Sequence, residues 1–207
     1  MRVRVVLTGA PCSGKTTVLN ALKEAFKSDP TYRFVDEIAT KYVREEQSKG
    51  LDPYKDLKTF EEAMIKLQKE AEDAHNHDNT CTIIDRSMID HLAIIKNLKV
   101  EKKNNIHYYW DLKDRFNDEA ISRNYHLVFV LDRLDFVKTS DRRENGDEEA
   151  ILQDHYLRRT YHKLQKMCGY KIIPVPKLSV EERVDLIVKE IKQHQLTMQP
   201  ASPQLGK

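Results

Sequence analysis

The sequence predicts an α/β fold of three layers, a sandwich in which helices cover both faces of a five-stranded parallel sheet. Five short apolar runs alternate along the chain with stretches whose apolar residues recur at helical spacing. These runs are too short and too continuously apolar for strands with one face in water, so both faces of the sheet should be covered. A glycine-rich loop follows the first run directly.

The composition favours one domain of ordinary size. A chain of 207 residues can bury one core and is short for two, so we predict a single domain over residues 1–194 and a disordered tail over 195–207. The 35 Lys and Arg nearly balance the 33 Asp and Glu, which gives no sign of a general electrostatic grip on nucleic acid. We therefore expect no nucleic acid among the partners of the chain.

The sequence also suggests a cytoplasmic protein without a transmembrane segment. It contains neither the pattern of a secretory signal nor an apolar run long enough to cross a bilayer. Cys12, Cys81 and Cys168 are odd in number and far apart, which is typical of reduced thiols rather than of disulfides or a zinc site.

The apolar pattern places each element. Strands are predicted over 3–7, 32–35, 81–85, 125–131 and 171–176. Helices are predicted over 15–27, 38–49, 57–75, 87–98, 107–121, 147–167 and 180–193. Ser87 should cap the fourth of these helices, and Ser179 with Glu182 has the capping-box spacing at the start of the last.

The loop after the first strand matches the pattern G-x-x-x-x-G-K-[ST] of a phosphate-binding loop, or P-loop. Its residues are Gly9, Ala10, Pro11, Cys12, Ser13, Gly14, Lys15, Thr16 and Thr17. The glycines allow the backbone to turn tightly around phosphates, and the next helix presents free amides to them. Lys15 would reach the β- and γ-phosphates, and Thr16 would offer a hydroxyl to Mg²⁺. The motif predicts a P-loop nucleotide-binding domain that takes ATP or GTP with Mg²⁺.

Asp85 ends the third strand and Arg86 follows it, at the sheet edge where ligands bind in open α/β folds. Asp85 occupies the position of a carboxylate that serves Mg²⁺, directly or through Thr16 and water. Arg86 has the rigid fork that suits phosphate or carboxylate and would hold the acceptor. The alternative is an ordinary helix start with a surface ion pair.

Glu37 ends the second strand, where a carboxylate would face an acceptor across from the γ-phosphate and accept a hydroxyl proton. Asp36 competes for this role, because a shift of one residue exchanges the side chains that point into the site. Two solvated loop carboxylates are the alternative.

Arg142 and Arg143 lie in a charged segment after the fourth strand, which could close over the triphosphate and bring a cation to the transferring group. Arg158 and Arg159 offer a second pair, and a solvated charged face is the alternative for both. We place the nucleotide base near Arg142 and Pro176.

In this order, the motifs resemble a P-loop family that includes the ribosylnicotinamide kinase domain of NadR and related AAA-type ATPase and kinase proteins. The likeness extends to about Gln193. It includes the P-loop, Glu37, Gln68, Glu72, Asp85, Arg86, the segment 141–144 and the stretch from Val175 to Arg183. It implies a nucleotide-kinase-like fold and a Mg²⁺-requiring phosphotransferase that acts on a small, often nucleoside-like, hydroxyl acceptor.

Two departures concern the acceptor pocket. The arginine-bearing element of the family is replaced here by 36–40 without its arginine, for which Lys41 or Arg44 could substitute. The residues before the lid arginine also differ. The same domain resembles eukaryotic GTP-binding proteins of receptor trafficking, so a nucleotide switch with a protein or lipid partner is the second hypothesis. We expect Lys15, Glu37, Asp85, Arg86 and Arg143 to carry the transfer.

Overall fold

A computed structural model describes residues 2–75, 79–101, 106–134 and 147–198. Along these residues the elements are β1 (Val3–Thr8), α1 (Lys15–Ala25), β2 (Tyr32–Val35), α2 (Ile38–Ser48), α3 (Leu57–Asp73), β3 (Cys81–Asp85), α4 (Met88–Glu101), α5 (Ile106–Ser122), β4 (Leu127–Leu131), α6 (Asp147–Cys168), β5 (Lys171–Val175) and α7 (Val180–Met198). None of the helices in these ranges combines the length and apolarity needed to cross a bilayer.

The strands form a five-stranded sheet in the order β2-β3-β1-β4-β5. Every neighbouring pair is parallel, with Leu7 of β1 beside Asp85 of β3 and Thr8 beside Val130 of β4. The carboxyl ends of the three central strands therefore meet at one edge of the sheet. The order changes direction at β1, and in open α/β sheets the crevice at such a point binds ligands.

Two apolar cores confirm the predicted three layers. Alternate strand residues face opposite sides, so Val5 and Leu7 pack with α1 and α7, whereas Val6 packs with α4, α5 and α6. Strands β1, β3 and β4 are buried along their whole length. Burial on both faces explains why these strands read as continuous apolar runs rather than as alternating patterns.

The last helix is longer than the sequence predicts. It ends at Met198, so 195–198 are helical instead of belonging to a tail. The Tyr32 hydroxyl donates a hydrogen bond to Gln195 Oε1 at 3.3 Å, and Met198 packs against the core. These contacts hold the final turns, which the apolar pattern up to 193 did not include. The remainder of the predicted tail, 199–207, lies outside the described residues.

Ser179 caps α7 as the capping-box pattern predicts. The Glu182 amide donates to Ser179 Oγ at 3.2 Å, and the Ser179 amide donates to Glu182 Oε2 at 2.9 Å. Ser179→Ala removes one partner of this exchange and should lower the melting temperature by about 2–4 °C. Thermal unfolding followed by circular dichroism measures the shift. Ser48→Ala, which caps no helix start, is the control, and an equal shift in both variants would contradict the assignment.

Candidate functional site

The P-loop needs glycine at its first position. Gly9 has a φ of 148°, and a Cβ built there would lie 2.6 Å from the carbonyl oxygen of Leu131. Gly14 has a φ of 77° and directly precedes α1. Both backbone conformations favour glycine, which allows the loop to fold against the end of β4. The first turn of α1 contains no acidic residue, so nothing in it opposes the attraction of the helix end for phosphate.

Lys15 is folded back into the loop. Its Nζ donates to the carbonyl oxygens of Gly9 at 2.6 Å and Ala10 at 3.1 Å, and to Ser13 Oγ at 3.1 Å. Burial, reinforced by the nearby Arg86 charge, lowers the pKa of the Lys15 ammonium. An anion beside it would favour the charged form. Thr16 and Thr17 are exposed at the start of α1.

Arg183 ties the P-loop to the neighbouring strand ends. It is 2% exposed, and its guanidinium donates to the carbonyl oxygens of Ser13 at 2.7 Å, Pro176 at 3.0 Å and Asp132 at 3.4 Å. The arginine thus joins the P-loop to the segments that follow β4 and β5. Pro176, predicted near the nucleotide base, is exposed, and Arg183 connects it to Ser13 of the P-loop.

Asp85 lies beside Leu7 in the sheet, at the edge that carries the P-loop. Its side chain is buried, and no residue in the described part of the chain donates to its Oδ1. Burial raises the pKa of the Asp85 carboxyl, an effect that the nearby Arg86 and Lys15 charges oppose. A buried carboxylate oxygen without a partner fits a cation ligand.

The residues fit Mg²⁺ bound together with phosphates. Within the described ranges, no group of three or more His, Cys, Asp or Glu could hold a metal ion by itself. Mg²⁺ commonly takes one or two protein oxygens and completes its shell with water and substrate phosphates. Thr16 Oγ1 and Asp85 Oδ1 are oxygens of the kind it prefers.

Arg86 lies between two carboxylates. Its Nε donates to Glu37 Oε1 at 2.8 Å, and its Nη1 is 3.5 Å from Asp90 Oδ1. Its backbone has a φ of 66°, and its carbonyl oxygen accepts from Gln68 Nε2 at 3.1 Å. Although burial disfavours the charged guanidinium, Glu37 and Asp90 raise the pKa of Arg86 overall. The arginine thus carries a fixed charge in a fixed position.

Glu37 and Asp36 have separate environments. Burial opposes ionisation of Glu37, but Arg86, the Thr40 hydroxyl and Lys15 outweigh it and hold the pKa of Glu37 at about 2. Asp36 is exposed and pairs with Lys23. Of the two alternatives, the structure brings Glu37 to Arg86 and leaves Asp36 on the surface. A carboxylate this acidic is a weak base, better suited to orienting a hydroxyl than to removing its proton early.

Asp90 is a central residue of the site that the sequence analysis missed. It is fully buried and accepts from Thr8 Oγ1 at 2.6 Å, from the Ser87 amide at 2.8 Å and from the Tyr161 hydroxyl. The Ile89 amide donates to Ser87 Oγ at 3.1 Å, which confirms the predicted cap. An acidic residue three positions after a cap was the one signal available for Asp90.

The structure describes one of the two predicted arginine pairs, Arg158 and Arg159. Arg142 and Arg143 lie outside the described residues, so their role stays a prediction. Arg158 forms ion pairs with Asp132 and Asp154, each at 2.7 Å, and Arg159 is exposed. The Arg158 contacts link α6 to the segment after β4, which is a structural role.

Two buried oxygens on α3 have no hydrogen-bond donor in the described part of the chain, Glu61 Oε2 and Gln68 Oε1. Glu61 is 3% exposed and Gln68 is 1% exposed. Burial alone raises the pKa of Glu61 to about 8. No charged partner offsets this burial among the described residues, unlike at the other buried carboxyl of α3, Glu72, which pairs with Arg4 at 3.3 Å.

Glu61 should make stability depend on pH. Its folded-state pKa lies above the ordinary value of 4.5, so the folded state is favoured at low pH and loses this advantage as the pH rises towards 8. Glu61→Met should therefore raise the melting temperature by roughly 4–8 °C more at pH 8 than at pH 5. Calorimetry at both pH values measures the melting temperatures, with Glu70→Gln, at an exposed position, as the control. A gain that is equal at both pH values would refute a buried, unpaired Glu61.

Comparisons with known proteins concern the family and the fold of the chain. A family model described as an AAA domain matches residues 4–183. No curated protein is similar enough in sequence to count as a relative. A deoxyadenosine kinase from M. mycoides with bound dCTP is similar over 92% of this chain and 100% of its own, with a TM-score of 0.67 and 14% identity.

Two further structures have the same fold. NadR in complex with NR is similar over 97% of this chain and 52% of its own, with a TM-score of 0.69 and 15% identity, so this chain spans about half of NadR. Thymidylate kinase from Candida albicans is similar over 93% and 92%, with a TM-score of 0.53 and 17% identity. At such identities the likeness shows the fold alone. The fold is that of P-loop kinases. The family match over most of its length shows that the chain belongs to the AAA domain family.

Proposed function

We propose that the protein is a Mg²⁺-dependent phosphotransferase that moves the γ-phosphoryl group of ATP or GTP to a hydroxyl of a small, nucleoside-like acceptor. The observation that carries the proposal is the Glu37–Arg86 pair, which lies at the sheet edge that also holds the P-loop and Asp85. Nucleotide binding alone does not require this pair. The kinases with the same fold, which include deoxyadenosine and thymidylate kinases, support it.

Residues 9–17 would hold the triphosphate, with Lys15 balancing charge on the β- and γ-oxygens. Thr16 and Asp85 would hold Mg²⁺, which supplies further charge neutralisation when bound. Transfer of this kind depends on positioning and electrostatic stabilisation more than on covalent help. The P-loop and Asp85 thus form the donor half of the site.

Glu37 and Arg86 would form the acceptor half. The acceptor oxygen forms a bond to the γ-phosphorus as the bond to the bridging oxygen breaks, and the hydroxyl proton passes to Glu37 and then to solvent. Because the pKa of Glu37 is about 2, the proton would leave late, when the oxygen is already bonded to phosphorus. Arg86 would hold Glu37 in place, and Asp90 would hold Arg86. Arg143 is proposed to reach the transferring group when the charged segment closes.

A phosphotransfer screen tests the proposal. Purified protein is incubated with Mg²⁺, ATP or GTP, and a panel of nucleosides, nucleoside monophosphates and ribosylnicotinamide, and product masses are read directly. The expected result is one product heavier by a phosphoryl group and absent with Lys15→Ala. Tight nucleotide binding without any product would contradict a kinase for these acceptors and favour the nucleotide switch.

A further inference from the structure

We infer that one face of α3 binds the acceptor, with Gln68 accepting a hydrogen bond from an N–H or O–H group near the catalytic edge and Glu61 accepting one at the end remote from the reacting hydroxyl. The inference rests on the proposed function and names the chemistry of its acceptor. It assigns an uncharged or cationic, donor-bearing end, not a phosphate, to the part of the acceptor that reaches Glu61.

The direction of α3 places Glu61 beyond the catalytic edge. Near the end of α3, the carbonyl of His75 accepts from Thr82 at the start of β3 at 3.3 Å. Further back along the helix, Gln68 donates to the carbonyl of Arg86, just after β3, at 3.1 Å. The helix is therefore antiparallel to the strand. Glu61 comes seven residues before Gln68, so at 1.5 Å per residue it lies about 10 Å further along the helix axis, past the end of the strand.

Helical periodicity puts both side chains on the same face. Seven positions are close to two full turns, so Glu61 lies almost directly in line with Gln68. Met64 and Ile65, which lie between them, are buried as well. Gln68, which contacts the backbone of Arg86, and Glu61 are thus about 10 Å apart along the helix, which is on the order of the length of a nucleoside.

The chemistry of this face is one-sided. Among the residues described, two buried side-chain atoms on this face have no hydrogen-bond partner, Glu61 Oε2 and Gln68 Oε1. Both are oxygens that accept hydrogen bonds, and neither is a donor. Leaving a buried acceptor unsatisfied costs free energy, which a ligand that supplies the donor recovers. A phosphate at this place would bring further acceptors and negative charge next to a carboxyl group.

The second buried carboxyl of the helix shows what a structural role requires. Glu72 accepts from Gln68 Nε2 at 2.9 Å and from the Tyr125 hydroxyl at 3.0 Å, in addition to its pairing with Arg4. Such partners balance the burial of a carboxylate. Glu61 is also buried, but its Oε2 has no such partner among the described residues. This is the arrangement expected of a carboxyl group that binds a ligand.

Equilibrium binding tests the inference without turnover. Adenosine, cytidine and ribosylnicotinamide, and then AMP and CMP, are titrated by calorimetry into the protein saturated with Mg²⁺ and the imido analogue of ATP. We expect a nucleoside to bind the wild-type chain and to bind Glu61→Met at least 10-fold more weakly. The control Glu70→Gln, at an exposed position of the same helix, should bind as the wild type does. Both variants should bind the ATP analogue normally, and Glu61→Met should melt no lower than the wild type.

Three results would overturn the inference. These are equal nucleoside affinity in Glu61→Met and wild type, tighter binding of the monophosphates than of the nucleosides, and no nucleoside binding by a protein that binds the ATP analogue. A lower melting temperature for Glu61→Met would instead assign Glu61 a structural role. Failure of the proposed function is distinct, because nucleosides would then bind with the expected dependence on Glu61 while the phosphotransfer screen gave no product.

Discussion

Lys15→Ala is expected to abolish phosphoryl transfer, with a loss in turnover of at least about 10²–10³-fold. The ammonium group is buried among the carbonyls of Gly9 and Ala10, inside the loop that would surround the phosphates. Alanine removes the positive charge from the place where the transition state gains negative charge, and no described residue of the loop can replace it. Steady-state turnover with the acceptor from the phosphotransfer screen measures the loss.

Lys27→Ala is the matched control, because Lys27 is an exposed lysine just beyond α1 that pairs with Glu24. Its turnover should equal that of the wild type. Circular dichroism should show that both variants are folded. If Lys15→Ala kept more than a tenth of the wild-type turnover, the phosphates would not lie where the loop predicts.

The sequence predicted the parts of the site that depend on neighbours along the chain. The P-loop is a contiguous motif, and Asp85 could be placed because parallel strands put their carboxyl ends at one edge. Asp90 could not be predicted in the same way. Its partners Thr8 and Tyr161 are 82 and 71 positions away, so only packing brings them together.

Arg183 illustrates the same limit. On an amphipathic helix, an arginine is normally assigned to the solvated face. Here its guanidinium is buried because three loop carbonyls, of Ser13, Pro176 and Asp132, converge on it. Backbone carbonyls leave no trace in a side-chain pattern, so a buried arginine of this kind appears only in three dimensions. The choice between Asp36 and Glu37 likewise depended on Arg86, which is 49 positions from Glu37.

Glu37→Gln should lower turnover by about 10²–10⁴-fold while changing nucleotide affinity by no more than a few-fold. The glutamine keeps the shape of the side chain but loses the charge that accepts the hydroxyl proton and pairs with Arg86 Nε. Nucleotide binding depends instead on the P-loop, which Glu37 does not form. Titration with the imido analogue of ATP and steady-state kinetics on the same preparations separate the two effects.

Asp36→Asn is the control, since Asp36 is exposed, and its turnover should remain within a few-fold of the wild type. The pH dependence gives an independent check. Burial opposes ionisation of Glu37, but Arg86 and the other partners hold its pKa at about 2, so it remains ionised well below pH 5. Protonation of Glu37 therefore cannot cause a loss of wild-type turnover between pH 8 and pH 5. If Glu37→Gln abolished a pronounced acidic fall in that range, the carboxylate would be titrating near neutral pH, and the orienting role assigned to it would be wrong.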